Sequence, residues 1–86
     1  MELEQLRMFL AVAECGSLTE AGKRLFVSHS TMSRAVSALE RELGAELITR
    51  RGRSVMLTPA GQILAERAGA LLTEAEALVE AVRNAG

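Results

Sequence analysis

The chain has no tryptophan, tyrosine or aspartate, one proline, one histidine, one cysteine, and two aromatic residues, Phe9 and Phe26. Each shortage removes a class of function. Recognition of unpaired bases relies on aromatic stacking platforms, so single-stranded DNA and RNA are disfavoured as ligands. One cysteine, Cys15, cannot close a disulfide within the chain, and it reads as a small buried apolar residue rather than a reactive thiol. An enzyme needs a nucleophile, a base and stabilising donors gathered in one pocket. With His29 and Cys15 on different predicted helices, no aspartate and no metal-ligand spacing, the sequence offers neither a catalytic constellation nor a cofactor site. No signal peptide and no apolar run near the ~18 residues of a membrane span are present, so a soluble, cytosolic chain is expected.

What is present is 86 residues, 49% of them hydrophobic. That makes one small domain, which buries only a little over ~60% of its unfolded surface and gains from association with a second copy. Within it, Ser17 to Leu43 reads as two helices joined by a short turn. Ser17 and Glu20 have the S-x-x-E spacing of a capping box, followed by apolar Leu18, Ala21, Gly22 and Leu25 on one face. Leu25, Phe26 and Val27 make the turn. Ser28 caps a longer helix with apolar Met32, Ala35, Val36, Leu39 and Leu43 at helical spacing. His29, Ser30, Thr31, Ser33, Arg34 and Ser37 are left outside that stripe. Solvated helix faces are usually written in Glu and Lys. Short hydroxyl side chains instead let a backbone approach a partner closely, as in a helix-turn-helix whose second helix enters a major groove about 12 Å wide.

The net charge of −1 hides a segregation. Residues 1–22 carry −3 and residues 54–86 carry −2, whereas residues 23–53 hold seven cations against three glutamates, a local +4. The field over one face governs attraction to a polyanion, so the acidic average is no veto. Upstream, Leu3, Leu6, Phe9, Leu10 and Ala13 predict a first helix that ends at Gly16 and covers the back of the other two. Gly44 stops the third helix in the same way.

Between Ala45 and Thr58 the pattern changes to two short apolar runs, Leu47-Ile48 and Val55-Met56-Leu57, around Arg50, Arg51, Gly52 and Arg53. This predicts a β-hairpin with an arginine tip suited to phosphates or a narrow minor groove. Thr58 as N-cap and Pro59 at the first helical position open a last helix. Its apolar residues Leu64, Ala68, Leu71, Ala75, Leu78 and Val82 fall in alternating steps of four and three, a heptad seam beside a second column of Ala65, Leu72 and Val79. The seam predicts a homodimer. A helical adaptor that pairs without DNA would account for that helix, but leaves the serine face and the arginine hairpin unexplained.

In order along the chain stand Leu6-Arg7-x-Phe9, Ala11-Val12-Ala13-Glu14-x-Gly16-Ser17, Leu25-x-Val27-Ser28, Ser33-Arg34, Leu39-Glu40, Leu43-Gly44, Leu47, Arg50, Arg53 and Val55-x-Leu57-Thr58-x-Ala60-Gly61. Over roughly the first 65 residues the sequence thereby resembles the LysR-type transcriptional regulators of bacteria. The resemblance implies a mainly α fold with a small β-hairpin: a winged helix-turn-helix over residues 1–58, then a linker and dimerisation helix over 59–86 that pairs antiparallel with its twin. It further implies sequence-specific binding of double-stranded DNA by a homodimer on an interrupted inverted repeat. A small-molecule effector would enter only through a larger C-terminal domain, which the resemblance places outside these residues. His29 stands where the family commonly has glutamine, Gly22 where alanine is usual, and Leu18 and Ile48 where phenylalanine is common.

Carried over by position, the recognition helix is 28–43, with His29, Ser30, Ser33 and Arg34 as base readers. Ser17, Thr19, Lys23, Ser28, Thr31 and Ser37 are candidates for the DNA backbone, and Arg50, Arg51 and Arg53 for the wing. Leu64, Ala68, Leu71, Ala75, Leu78 and Val82 are the expected dimer contacts.

Overall fold

The computed structural model describes residues 1–86 as α1 (Leu3–Cys15), α2 (Leu18–Leu25), α3 (His29–Leu43), β1 (Ile48–Arg51), β2 (Ser54–Leu57) and α4 (Pro59–Ala85). The helices begin where side chains satisfy free backbone donors. Ser17 Oγ accepts the Glu20 N–H at 3.2 Å, Ser28 Oγ that of Thr31 at 3.2 Å, and Thr58 Oγ1 that of Gly61 at 3.0 Å. The capping box at Ser17 is only half formed. The Glu20 carboxylate does not return to Ser17 but lies 3.3 Å from Lys23 Nζ, its i,i+3 neighbour on the exposed helix face.

Leu6, Phe9 and Val12 of α1 meet Leu18 and Ala21 of α2, Met32, Val36 and Leu39 of α3, Leu47, Ile48, and Ala68 and Leu72 of α4 in one core without a buried polar side chain. Helix α1 lies at the centre of this arrangement, in contact with α2, α3 and α4. Fully burying a leucine or phenylalanine contributes about 1.5–3 kcal/mol, so these side chains carry the stability of the domain. Two expectations fail at the margins of the core. Leu43, expected on the apolar stripe of α3, is 43% exposed in the helix's last turn, at the edge of a groove it lines with Leu47, Ala60 and Leu64. Helix α4 is no separate appendage either, since Gly61, Ala68 and Leu72 in its first half are buried in the same core.

The hairpin pairs Ile48 with Leu57, Thr49 with Met56, Arg50 with Val55 and Arg51 with Ser54. Gly52 and Arg53 form its two-residue loop, and the positive φ of 57° at Gly52 alone fits a type II′ turn. Of the three arginines expected at the tip, only Arg53 is there. Arg50 and Arg51 belong to β1, and strand alternation sends them to opposite faces. Two bonds seat the hairpin on the helices. The Val55 N–H donates to Gly16 O at 2.9 Å, and the Glu40 carboxylate accepts from Leu47 N at 2.8 Å and Ile48 N at 3.5 Å.

The turn between α2 and α3 is closed by Phe26, the only non-glycine residue with positive φ (58°), its ring 96% exposed. Next to it, Gly22 permits a close approach: a Cβ there would stand 2.5 Å from Val27 O. An L side chain with a Cβ resists the left-handed region, whereas asparagine enters it readily. Because the phenyl ring packs on little, Phe26→Asn is expected to stabilise the domain by about 0.5–1 kcal/mol. Thermal unfolding should show a midpoint higher by roughly 2–8 °C at this chain length. The whole arrangement is a winged helix-turn-helix with a long trailing helix, 49 × 26 × 18 Å in extent.

Candidate nucleic-acid interface

The start of α3 is a patch of hydroxyl groups bonded to one another. Ser28 Oγ donates to Thr31 Oγ1 at 2.9 Å and lies 3.3 Å from Ser30 Oγ, while Arg34 Nη2 donates to Thr31 Oγ1 at 3.4 Å. His29, Ser30 and Arg34 are exposed; Thr31, Ser33 and Ser37 are half-buried. The helix N-terminus adds free N–H groups and a positive dipole end, a setting that favours phosphate oxygens.

Ser33 has a different neighbour from the one expected. Its Oγ accepts a hydrogen bond from Arg50 Nη2 at 2.8 Å, joining α3 to the hairpin. The hydroxyl is committed to holding a guanidinium, and Arg50 presents the charge at that place. Beside it opens a cleft of about 170 Å³ lined by Thr19, His29, Arg50, Arg53 and Ser54 among others. The cleft gathers the N-terminal ends of α2 and α3 and the wing. Arg51, on the other face of β1, does not line it.

The ion pairs are the Met1 ammonium with Glu42 at 2.8 Å, Arg7 with Glu4 at 3.3 Å, Lys23 with Glu20 at 3.3 Å and Arg24 with Glu14 at 2.6 Å. Arg34 and Arg41 of α3 and Arg50, Arg51 and Arg53 of the hairpin are in none of them, nor are Arg67 and Arg83 of α4. Lys23, a candidate for the DNA backbone, is thus partly neutralised by its own helix, and Ser17 is occupied as an N-cap; Thr19 is exposed at the cleft. Exposed pairs are worth only about 0–1 kcal/mol, so Lys23 can still be drawn to a stronger anion.

One residue that positions the site escaped the sequence reading. Glu40 fixes the start of the wing by accepting two backbone N–H groups, seven and eight residues downstream. In the sequence it is one of three glutamates in the cationic 23–53 segment and part of the Leu39-Glu40 match to the family, and neither marks it as the partner of Leu47 and Ile48.

Along α4 the expected dimer seam divides. Ala68 is 2% exposed and belongs to the chain's own core, so it is not free for a partner; Leu72 beside it is buried as well. Leu71 (47%), Leu78 (64%) and Val82 (65%) are open, while Leu64 and Ala75 are half-buried. No helix in the chain is long and apolar enough to cross a membrane.

A family model described as "Bacterial regulatory helix-turn-helix protein, lysR family" matches residues 3–62. The chain belongs to the LysR family. It is 43% identical over 84 residues to an uncharacterized HTH-type transcriptional regulator of Azotobacter vinelandii, covering 98% of this chain and 58% of that protein. It is also 49% identical over 78 residues to a probable hydrogen peroxide-inducible genes activator of Streptomyces viridosporus, covering 91% of this chain and 25% of that one. The chain thus spans between about a quarter and three fifths of these two relatives. Among solved structures, this LysR-family chain superposes on the CbnR DBD of a DNA complex with a TM-score of 0.95 and 41% identity, covering 99% and 98% of the two chains. The BenM DBD in complex with catB site 1 DNA gives 0.92 and 37%, covering 98% and 94%.

Proposed function

We propose that this LysR-family chain binds double-stranded DNA sequence-specifically as the recognition module of a bacterial transcriptional regulator, and that it does so as a homodimer without catalytic activity. The observation that carries this reading is the set of arginines on α3 and the hairpin that have no carboxylate partner, beside a hydroxyl-lined helix N-terminus. The similar CbnR and BenM chains were solved with DNA, which supports the same assignment. The N-terminal turns of α3 enter the major groove. His29, Ser30 and Arg34 face base edges, with Arg34 able to make a bidentate contact to guanine. Ser33 acts chiefly through Arg50, and Ser28, Thr31, Thr19, Lys23, Ser17 and Ser37 line the path of the phosphates.

Arg50 and Arg53 of the wing meet phosphate or the minor groove, with Arg51 more remote. Two copies joined through α4 read two half-sites of an interrupted inverted repeat. The test is selection of bound fragments from a random duplex library, with affinity for random duplex measured at two salt concentrations. An inverted repeat and a steep salt dependence are expected. Weak binding that is indifferent to salt and selects no common sequence would overturn the reading in favour of a pairing module without DNA.

A further inference from the structure

We propose that Glu40 is a positioning residue that sets which half-site spacing the homodimer accepts, by clamping the segment around Leu47 between the recognition helix α3 and the dimer helix α4. This rests on the DNA-binding homodimer of the preceding section and adds what holds its two recognition helices at one separation. Helix α3 packs on α1 and α2, and α4 packs on α1 and β2, so the helix that meets DNA and the helix that meets the second copy share no main packing face. Apolar packing through α1 is not directional. The directional link runs through the chain between them, where Glu40 gathers the backbone donors. Its carbonyl oxygen accepts the N–H of Gly44 and, at 3.2 Å, that of Ala45, while its carboxylate Oε2 accepts those of Leu47 at 2.8 Å and Ile48 at 3.5 Å.

Helix α4 grips the same segment from the other side. The Thr58 N–H donates to Leu47 O at 3.0 Å, and the Thr58 hydroxyl donates to Glu46 O while accepting the Gly61 N–H at 3.0 Å. Gly61 lies so near that a Cβ there would stand 2.0 Å from Leu47 O, and the Leu47 side chain is buried in the core. Hydrogen bonds to an ionised acceptor are roughly twice as strong as neutral ones, so the Glu40 carboxylate is the stiffest of these ties. Its leverage is long. Glu40 stands eleven residues after His29, about 16 Å along the helix, and a tilt of about 10° at the joint moves the DNA-facing end by about 3 Å. One base pair separates half-sites by a further ~3.4 Å and turns one about 35° around the duplex relative to the other. A rigid joint therefore concentrates the second recognition helix at one spacing, and a loose joint spreads it over several.

The test is the affinity of the 86-residue chain for an isolated half-site and for a series of inverted repeats whose half-sites are moved apart one base pair at a time. The wild-type chain is expected to bind one spacing at least about tenfold more tightly than its neighbours, and Glu40→Ala to flatten that preference to about threefold or less. Glu40→Gln keeps an acceptor oxygen without the charge and should retain more of it. Thr58→Val loosens the joint from the α4 side and should flatten the profile too, with half-site affinity within about twofold of wild type. A role confined to folding or to the wing would instead weaken every duplex, the half-site included, by the same factor. An unchanged spacing profile in Glu40→Ala, whatever its loss of affinity, would therefore overturn the proposal, as would a wild-type chain that binds repeats of every spacing alike. A wild-type chain that binds the isolated half-site as tightly as any repeat would remove the homodimer reading itself, and the proposal with it. Where Glu40→Ala loses its helical circular dichroism, Glu40→Asp, its carboxylate drawn back by one methylene, takes its place with the same flattening expected.

Discussion

Gly61→Ala is expected to lower the stability of the domain by about 2 kcal/mol, although alanine is the better helix former. A Cβ at this position would stand 2.0 Å from Leu47 O and 3.0 Å from the Leu47 carbonyl carbon. No rotamer change relieves that contact, because both atoms are backbone. The Leu47 carbonyl also accepts the Thr58 N–H at 3.0 Å, so moving it loosens the bond that brings β2 into α4. The roughly 1 kcal/mol of helix propensity gained is smaller than the cost of forcing the two elements apart. Gly69 is the matched control in the same helix: nothing lies within 4 Å of an added Cβ there, and Gly69→Ala should stabilise by about 0.5–1 kcal/mol. Urea unfolding of both variants checks the pair. Equal effects would mean that the approach of α4 to Leu47 is not a constraint.

The contrast between these glycines marks what a sequence can and cannot disclose. Local rules sufficed for Ser28, Thr58 and Pro59, because a cap or a first-turn proline concerns only its own helix. They sufficed equally for the hairpin, whose apolar runs and glycine turn are contiguous. At Ser17 and Glu20 the spacing of a capping box was legible, but not the presence of Lys23 as a competitor for the carboxylate. Placement across the fold was harder to read. The bond from Arg50 to Ser33 spans seventeen residues, and that from Glu40 to Leu47 depends on how the chain doubles back after Gly44. Neither leaves a periodic trace. The heptad of α4 was real as a pattern, yet the same spacing serves two surfaces. Ala68 follows Leu64 by one turn and, rotated toward α1, joins the core, while Leu71 and Leu78 remain outside. Whether a column is core or interface is decided by how far α1 extends beneath it. In the candidate site the sequence displayed the hydroxyl and arginine side chains but not the hydrogen bond that Ser33 Oγ accepts from Arg50 of the hairpin.

That bond makes the arginine variants the most informative measurement on DNA. Arg34→Ala is expected to cost about 1–3 kcal/mol on a selected operator and to relax the preference at one base position. Arg34 is exposed at the start of α3, with only Thr31 Oγ1 at 3.4 Å to hold it, so the guanidinium is free to turn into the groove. Arg53→Ala should act differently, weakening all duplexes alike and reducing the slope of log affinity against log salt by about one, the signature of a lost phosphate contact. Arg50→Ala should resemble Arg53→Ala in its salt behaviour and in addition release Ser33. Ser33→Ala should therefore weaken DNA binding in the wild-type chain but have little further effect in Arg50→Ala, since its contribution passes through that guanidinium. Arg51→Ala, on the far face of β1, should change affinity least of the four arginines. Anisotropy titrations of labelled duplex at several salt concentrations separate these outcomes. If Arg34, Arg50 and Arg53 could all be removed without loss of affinity, the DNA-facing surface would have to lie elsewhere on the molecule.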